Sequence, residues 1–324
     1  MPGKKITILT SGGDAPGMNA AIRSIVREGC YLGHEVWGAA RGYYGLLRDE
    51  FRPLGPRDVS NILQRGGTIL HTSRCPEFEN RDNRILAAEN LRKRGIDALL
   101  AIGGDGTFRG CQALAEDWGG QIIGLPGTID NDLYGTDSTI GFDTAVSTAL
   151  DAIDKIRDTA EAHERFFLVE VMGRNAGFIA LHVGLNGGAE EILVPEDKPD
   201  LKAVCDRLCE GRKAGKTSSI LVVAEGAYPG GAHAVAEELR RLSGNEYRIC
   251  VLGYLQRGGS PTGTDRMLAT RLGATAVHSI LVGETGKMAG MLDGKPVLTL
   301  LEESFGKKKS LDPELLALAR RLAS

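Results

Sequence analysis

Two carboxylates set two residues apart, Asp130 and Asp132 in the run Pro126-Gly127-Thr128-Ile129-Asp130-Asn131-Asp132, are the first sign of chemistry in this chain. The run follows an apolar segment, Gln121 to Leu125, of buried-strand length, and Pro126 and Gly127 break that strand. In an α/β sheet a loop at such a strand end opens onto a crevice. One carboxylate there can take a proton while the other stays charged beside a metal or a phosphate. Loop aspartates also serve as turn formers and caps, so the rest of the chain must decide.

Two glycine turns point the same way. Ser11-Gly12-Gly13-Asp14-Ala15-Pro16-Gly17 closes an apolar strand and opens a helix, a place where backbone N–H groups and the helix N-terminus face an anion. It matches neither the dinucleotide fingerprint nor a P-loop. Gly103-Gly104-Asp105-Gly106-Thr107 repeats the arrangement, and its Asp105 suits Mg²⁺, which takes few carboxylates and completes its shell with phosphate oxygens. Similar Gly-Gly-Asp-Gly-Thr runs occur in NAD kinases and diacylglycerol-kinase-like enzymes. Arg74, Arg174 and Arg257 each lie in a loop, the last two just beyond a strand beside glycine, and a guanidinium fork suits phosphate. Glu225, at another strand end, can accept from a sugar hydroxyl or pair with an arginine. No Ser/His or Cys/His nucleophile pattern accompanies them. The set predicts phosphoryl transfer by positioning and charge stabilisation, with a carboxylate receiving the acceptor hydroxyl's proton.

The elements that must hold these loops alternate. Strands are expected at Lys5 to Thr10, Glu35 to Ala40, Ala98 to Ile102 and Gln121 to Leu125, and helices at Gly17 to Leu32, Asn80 to Arg94 and Thr107 to Asp117. A second series follows. Its strands are Arg165 to Val171, Glu191 to Val194, Ser218 to Ala224 and Tyr247 to Leu252, with helices Phe142 to Ala162, Ala176 to Leu185, Asp200 to Arg212, Ala232 to Leu242 and Asp265 to Val282. A last helix starts at Asp312-Pro313-Glu314. The class is α/β, with mostly parallel sheets, helices on both faces, and functional loops at the strand C-termini. Leu-Gln-Arg-Gly-Gly occurs at 63–67 and again at 255–259, a repeat with no mechanistic weight on sequence grounds.

Composition narrows the function classes. With Lys+Arg 39 against Asp+Glu 42 the net charge is −3, which gives no support to a nucleic-acid or membrane-surface role. No apolar run approaches a membrane span, and the apolar start Ile6 to Leu9 is too short for a signal peptide. Six scattered cysteines without a C-x-x-C fit a reducing, cytoplasmic address. Cys205 and Cys209, four apart on a helix, are expected in the core rather than on a metal.

Taken in order, SGGDAPGMNAAIR, RGGT, SRCPEF, GGDGT, PGTIDND, TIGFDTA, HER, EVMGR and LQRGGSPT resemble the bacterial-type ATP-dependent 6-phosphofructokinases over Ile6 to about Leu281. The resemblance implies two Rossmann-like three-layer αβα domains. The larger, nucleotide-binding one comprises residues 1–141 and 256–306; the smaller, sugar-phosphate-binding one comprises 142–255 and 307–324. It implies Asp130 as base for the sugar 1-hydroxyl, with Thr128, Gly13, Arg74 and Arg174 at the migrating phosphoryl group and Asp105 and Asp132 on the Mg²⁺ side. ATP would meet Gly13, Tyr43, Arg74, Cys75 and Gly104, Asp105, Gly106 and Thr107. Fructose 6-phosphate would meet Thr128, Ile129, Asp130, Met172, Gly173, Arg174, Glu225, Tyr254, Leu255, Gln256 and Arg257. Arg165 and Arg248 would reach its phosphate from a neighbouring subunit of a homotetramer.

Pyrophosphate-using relatives carry Asp and Lys where this chain has Gly106 and Gly127, so both glycines favour ATP by leaving room for the nucleotide. A pyrophosphate-dependent enzyme and a non-catalytic sugar-phosphate sensor are the alternatives. Arg23, Arg27, Arg157, Glu190 and Lys216 match effector positions, implying ADP activation and phosphoenolpyruvate inhibition. Four residues depart from the family pattern: Tyr254 in place of His, Cys75 in place of an aromatic, and Pro56 and Ala214 in place of basic residues.

Overall fold

A computed structural model describes residues 3–323. The chain runs β1 (Lys5–Thr10), α1 (Met18–Tyr31), β2 (Glu35–Ala39), α2 (Tyr43–Leu47), β3 (Phe51–Pro53), α3 (Arg81–Lys93), β4 (Ala98–Gly103), α4 (Asp105–Trp118) and β5 (Gln121–Pro126). It continues through α5 (Phe142–Ala162), β6 (Phe166–Val171), α6 (Phe178–Asn186), β7 (Glu191–Leu193), α7 (Leu201–Lys213), β8 (Ser219–Ala224), α8 (Gly231–Ser243) and β9 (Tyr247–Val251). Last come α9 (Gly263–Leu281), β10 (Lys287–Leu292), β11 (Lys295–Leu300), α10 (Leu301–Gly306) and α11 (Pro313–Leu322). The protein is α/β with mostly parallel sheets.

The chain groups into two compact units. One comprises Met1–Thr128, Leu133–Asp143 and Arg257–Lys309; the other comprises Ile129–Asp132, Thr144–Gln256 and Ser310–Ser324. In the first unit seven strands lie in the order β11-β10-β5-β4-β1-β2-β3. The β1–β2, β1–β4, β4–β5 and β5–β10 pairs are parallel, and only the edge pairs β2–β3 and β10–β11 are antiparallel. β4 is buried along its whole length, which explains why Ala-Leu-Leu-Ala-Ile reads as a continuous apolar run instead of alternating. After β1 the chain turns toward β2, and after β4 it turns the other way, toward β5. The two loops diverge and leave a crevice at the carboxyl ends of the strands.

No strand is expected from the sequence over residues 283–311. There the chain makes the β10–β11 hairpin, turned at Asp293-Gly294 with φ of 49° and 72°. Two consecutive left-handed residues are what a two-residue hairpin turn needs, and Asp-Gly between Leu292 and Lys295 is its signal in the sequence.

The second unit carries a four-stranded sheet in the order β7-β8-β6-β9, every pair parallel. β8 is buried throughout, and α7 starts on Asp200, whose side chain accepts from the Lys202 and Ala203 N–H groups. All six cysteines are free thiols. Cys205 is buried and Cys209 half-buried on α7. No described helix is long and apolar enough to cross a membrane.

Candidate active site

Register brings three loops of the first unit together at one sheet end. Thr10 pairs with Ile102 and Gly103 with Pro126, so the chain after β1, after β4 and after β5 emerges side by side. Ser11 N donates to Ile102 O at 3.1 Å, and Gly127 N to Gly103 O at 2.9 Å. The buried Thr107 hydroxyl donates to Ser11 O at 3.1 Å and ties the first turn of α4 to the β1 loop. A side chain at Gly103 would collide with that bond, its Cβ 2.3 Å from Thr107 Oγ1. Gly12, at φ 86°, holds the left-handed turn that glycine adopts without steric cost. At Gly13 an added Cβ would lie 2.4 Å from Arg257 Nη1, which itself donates to Asp14 O at 3.2 Å. Arg257 therefore lies over the Gly12–Gly13 turn.

α4 begins at Asp105, whose exposed carboxylate accepts from Arg109 Nε at 2.6 Å. Beneath this turn sits Tyr43, buried, its hydroxyl donating to Thr107 O and lying 3.2 Å from Cys111 Sγ, its ring stacked on Phe78 at 4.2 Å. Burial raises the Tyr43 phenol well above its ordinary range and pushes the Cys111 thiol up to about 12. Tyr43 thus props the turn from below. Gly106 faces open space, with nothing within 4 Å of an added Cβ. Gly127 does not: a Cβ there would lie 2.7 Å from Ile102 Cγ2 and 3.2 Å from Met18 Cε. Glycine therefore leaves open space at Gly106, whereas at Gly127 core packing already demands glycine.

The loop after β5 is held by its own return. Ile140 N donates to Pro126 O at 2.8 Å, and the Thr139 hydroxyl donates to Thr128 O at 2.5 Å. Thr128 and Asp130 are buried, Asp130 at 4 % exposure, and Asn131 beside it has φ 56°. Ile129 is fully buried and is a core side chain. Arg74 is exposed, on a surface concavity with Arg41, Tyr44 and Glu77. Next to it the Cys75 thiol, raised by burial, donates to Glu77 Oε2 at 3.4 Å.

In the second unit the loop after β6 carries Met172, Gly173 and Arg174. Met172 N donates to Gln256 Oε1 at 2.8 Å. Glu225, just past β8, accepts from Gly173 N at 3.2 Å and from Arg174 N at 2.5 Å. Gln256 is 0 % exposed and its Nε2 donates to Ala145 O at 3.3 Å, so both ends of the amide are used inside the protein. Tyr254 is 84 % exposed and Leu255 69 %. Arg165 and Arg248 are exposed at the opposite end of the same sheet. Arg165 precedes β6, and Arg248 pairs with Phe167 near the start of β9.

Of the effector set, Arg23 and Arg27 lie one turn apart on α1. Arg157 donates to the Gly187 and Gly188 carbonyls at 2.5 and 2.9 Å. Glu190 and Lys216 line a cavity of about 740 Å³ between β7, α7 and α11. Glu190 Oε2 accepts from Ile220 N at 2.7 Å, and Lys216 Nζ donates to Ala323 O at 2.8 Å. Among the described residues no three His, Cys, Asp or Glu side chains gather into a metal-binding group.

Two features emerge only from the fold. The two Leu-Gln-Arg-Gly-Gly segments meet: a Cβ on Gly66 would lie 2.3 Å from Gly259 O, and the Ser260 hydroxyl donates to Gln64 O at 2.7 Å. The repeat has packing weight that only the fold reveals. Asp265 is a wholly buried carboxylate whose Oδ1 accepts from Gly141 N at 2.8 Å. In the sequence it stands only as the first residue of an expected helix.

Glycine turns at neighbouring parallel strand ends are the arrangement in which α/β proteins hold phosphate. The chain belongs to the phosphofructokinase family, whose profile matches residues 5–280. It is 57 % identical over 320 residues to a curated Thermus thermophilus protein named ATP-dependent 6-phosphofructokinase 1, covering 99 % of both chains. It is 51 % identical over 322 residues to the ATP-dependent 6-phosphofructokinase of Staphylococcus carnosus, again covering 99 % of both. Among solved structures, that of phosphofructokinase from Saccharomyces cerevisiae superposes with a TM-score of 0.89 at 37 % identity. That match covers 94 % of this chain and 45 % of the yeast chain.

Proposed function

We infer that this protein is an ATP-dependent 6-phosphofructokinase, a phosphotransferase that moves the γ-phosphoryl group of ATP to the 1-hydroxyl of fructose 6-phosphate. The products are fructose 1,6-bisphosphate and ADP, and the reaction belongs to glycolysis. The observation that carries this is the 57 % identity, end to end, with a protein of that name. The strand-end glycine turns and the buried Asp130 are what such a reaction requires.

In the proposed mechanism Asp130 accepts the proton of the 1-hydroxyl as that oxygen attacks the γ-phosphorus, and ADP departs with the bridging oxygen. Gly13 N–H, Thr128, Arg74 and Arg174 stabilise charge on the migrating group. The phosphates of ATP lie along Gly13 and Gly104 to Thr107, with Arg74 and Cys75 beside the nucleotide. Tyr43 contributes by holding Thr107 from beneath. Glu225 and Gln256 act on fructose 6-phosphate through the backbone of Met172 to Arg174. Mg²⁺ takes one or two carboxylates plus substrate phosphates, and the partly exposed carboxylate of Asp105 at the start of α4 fits an ion that arrives with the nucleotide. Asp105 and Asp132 would hold it, and it would neutralise phosphate charge.

Arg165 and Arg248 are assigned to the 6-phosphate of a neighbouring subunit's substrate, within a homotetramer. The support is length: six strand residues separate Arg165 from the Met172–Arg174 loop, about 20 Å at strand rise, more than one sugar phosphate spans. Effector binding of ADP and phosphoenolpyruvate is assigned to Arg23, Arg27, Arg157, Glu190 and Lys216, and the enzyme to the cytoplasm. The open space at Gly106 supports ATP as donor. The test is turnover of fructose 6-phosphate by purified enzyme with ATP or pyrophosphate, each with Mg²⁺ and with ADP or phosphoenolpyruvate added. Faster turnover with pyrophosphate would overturn the donor assignment.

A further inference from the structure

The loop from Met172 to Gly177 is in a conformation that its sequence does not favour. Gly173 has φ 140° and an added Cβ there would lie 2.4 Å from Ala176 O. Arg174, which has a Cβ, sits at φ 51°. A non-glycine residue in this region is strained and persists only where its surroundings fix it.

Three side chains from three other segments supply that fixing. Gln256 Oε1 takes the Met172 N–H, and Glu225 Oε1 takes those of Gly173 and Arg174. Glu196, just beyond β7, closes the far end of the loop: its Oε1 accepts from Gly177 N at 2.9 Å, at the start of α6. The fit is close, since a Cβ on Gly177 would lie 2.7 Å from Glu196 Oε2 and 2.6 Å from Val194 Cβ. That same Oε2 is buried with no hydrogen-bond partner. Gly226 adds a steric stop, as its Cβ would fall 2.1 Å from Arg174 O.

We propose that Glu196 is a positioning residue for phosphoryl transfer, acting with Glu225 and Gln256 to hold the 172–177 backbone so that Arg174 remains left-handed. Released from these acceptors, Arg174 relaxes to negative φ and its guanidinium swings off the migrating phosphoryl group. The proposal rests on Arg174 stabilising that group, the role given above.

The test is a double-mutant cycle on the full-length enzyme, reading kcat, both KM values and the melting temperature. Glu196→Ala should lower kcat by about ten- to a hundredfold, the range a misplacement near 1 Å produces, with KM for ATP unchanged. Glu196→Gln, which keeps an acceptor for Gly177 N–H, should recover most of that loss. In an Arg174→Ala background Glu196→Ala should have no further effect on kcat. Equal losses in both backgrounds, or a lowered melting temperature with kcat within twofold of wild type, would overturn the positioning role. If Glu196→Ala does not fold, Gln256→Met removes the acceptor for Met172 N–H at similar volume and should show the same dependence on Arg174. A normal kcat in Arg174→Ala alone would instead refute the role of Arg174, a separate outcome.

Discussion

The strand-end loops of the two units solve different problems with different means. In the first unit, Gly12–Gly13 and Gly103–Gly104 keep side chains out of the way, and the local geometry is fixed by short hydrogen bonds among backbone and Thr107. Such a loop offers N–H groups to an anion, and the one charged side chain over the Gly12–Gly13 turn, Arg257, bonds a carbonyl and leaves those N–H groups free of it. In the second unit the loop after β6 must present a side chain, Arg174, from a left-handed position, and two carboxylates and an amide hold its N–H groups. Glycine turns tolerate little added volume. Pinned turns tolerate volume poorly too, but they depend above all on their acceptors.

Four substitutions sharpen that contrast, beginning with the largest effect. Asp130→Ser, which removes the proposed base common to any version of the mechanism, should lower kcat at least about a hundredfold with the melting temperature unchanged; a near-normal kcat would refute its role. Gly13→Ala tests the volume limit directly. Its Cβ would meet Arg257 Nη1 at 2.4 Å, and displacement of turn and guanidinium by about 1 Å should reduce kcat/KM for ATP up to about a hundredfold. Wild-type kinetics in that variant would show that the turn has room to spare.

Arg165→Ala probes the far end of the second sheet, away from the pinned loop. Loss of a charge-assisted phosphate contact, about 2 kcal/mol, should raise KM for fructose 6-phosphate by roughly thirtyfold with little change in kcat. An unchanged KM would argue against a site shared between subunits. Tyr43→Phe is the mildest. It removes the hydroxyl beneath the Thr107 turn and should cost about 1 kcal/mol of stability, read as a drop of a few degrees in melting temperature, with kcat preserved. A large rise in KM for ATP with no thermal change would instead place Tyr43 in contact with the nucleotide.

Legibility in the sequence followed the range of the forces involved. Strand β4 and helix α5 could be read within a residue or so, because apolar runs and 3.6-residue periodicity are local signals. The Asp293-Gly294 hairpin turn is a local signal of the same kind. The glycine turns announced themselves by composition. Glu196 carried no signal at all: it lies 19 residues beyond the Gly177 N–H that it caps, and only the parallel pairing of β7, β8 and β6 brings the two together. The approach of Gly66 to Gly259 is of the same kind.

By itself the sequence determined an α/β chain with glycine turns at strand ends and a carboxylate pair at Asp130 and Asp132, since turn chemistry and strand length depend on near neighbours. Only the tertiary structure decided that Gly127 is demanded by Ile102 and Met18, that Gln256 spends its amide on Met172 and Ala145, and that Tyr43 is a prop under Thr107. Each of these depends on which atoms a folded neighbour places within a few ångströms, and spacing along the chain does not encode that distance.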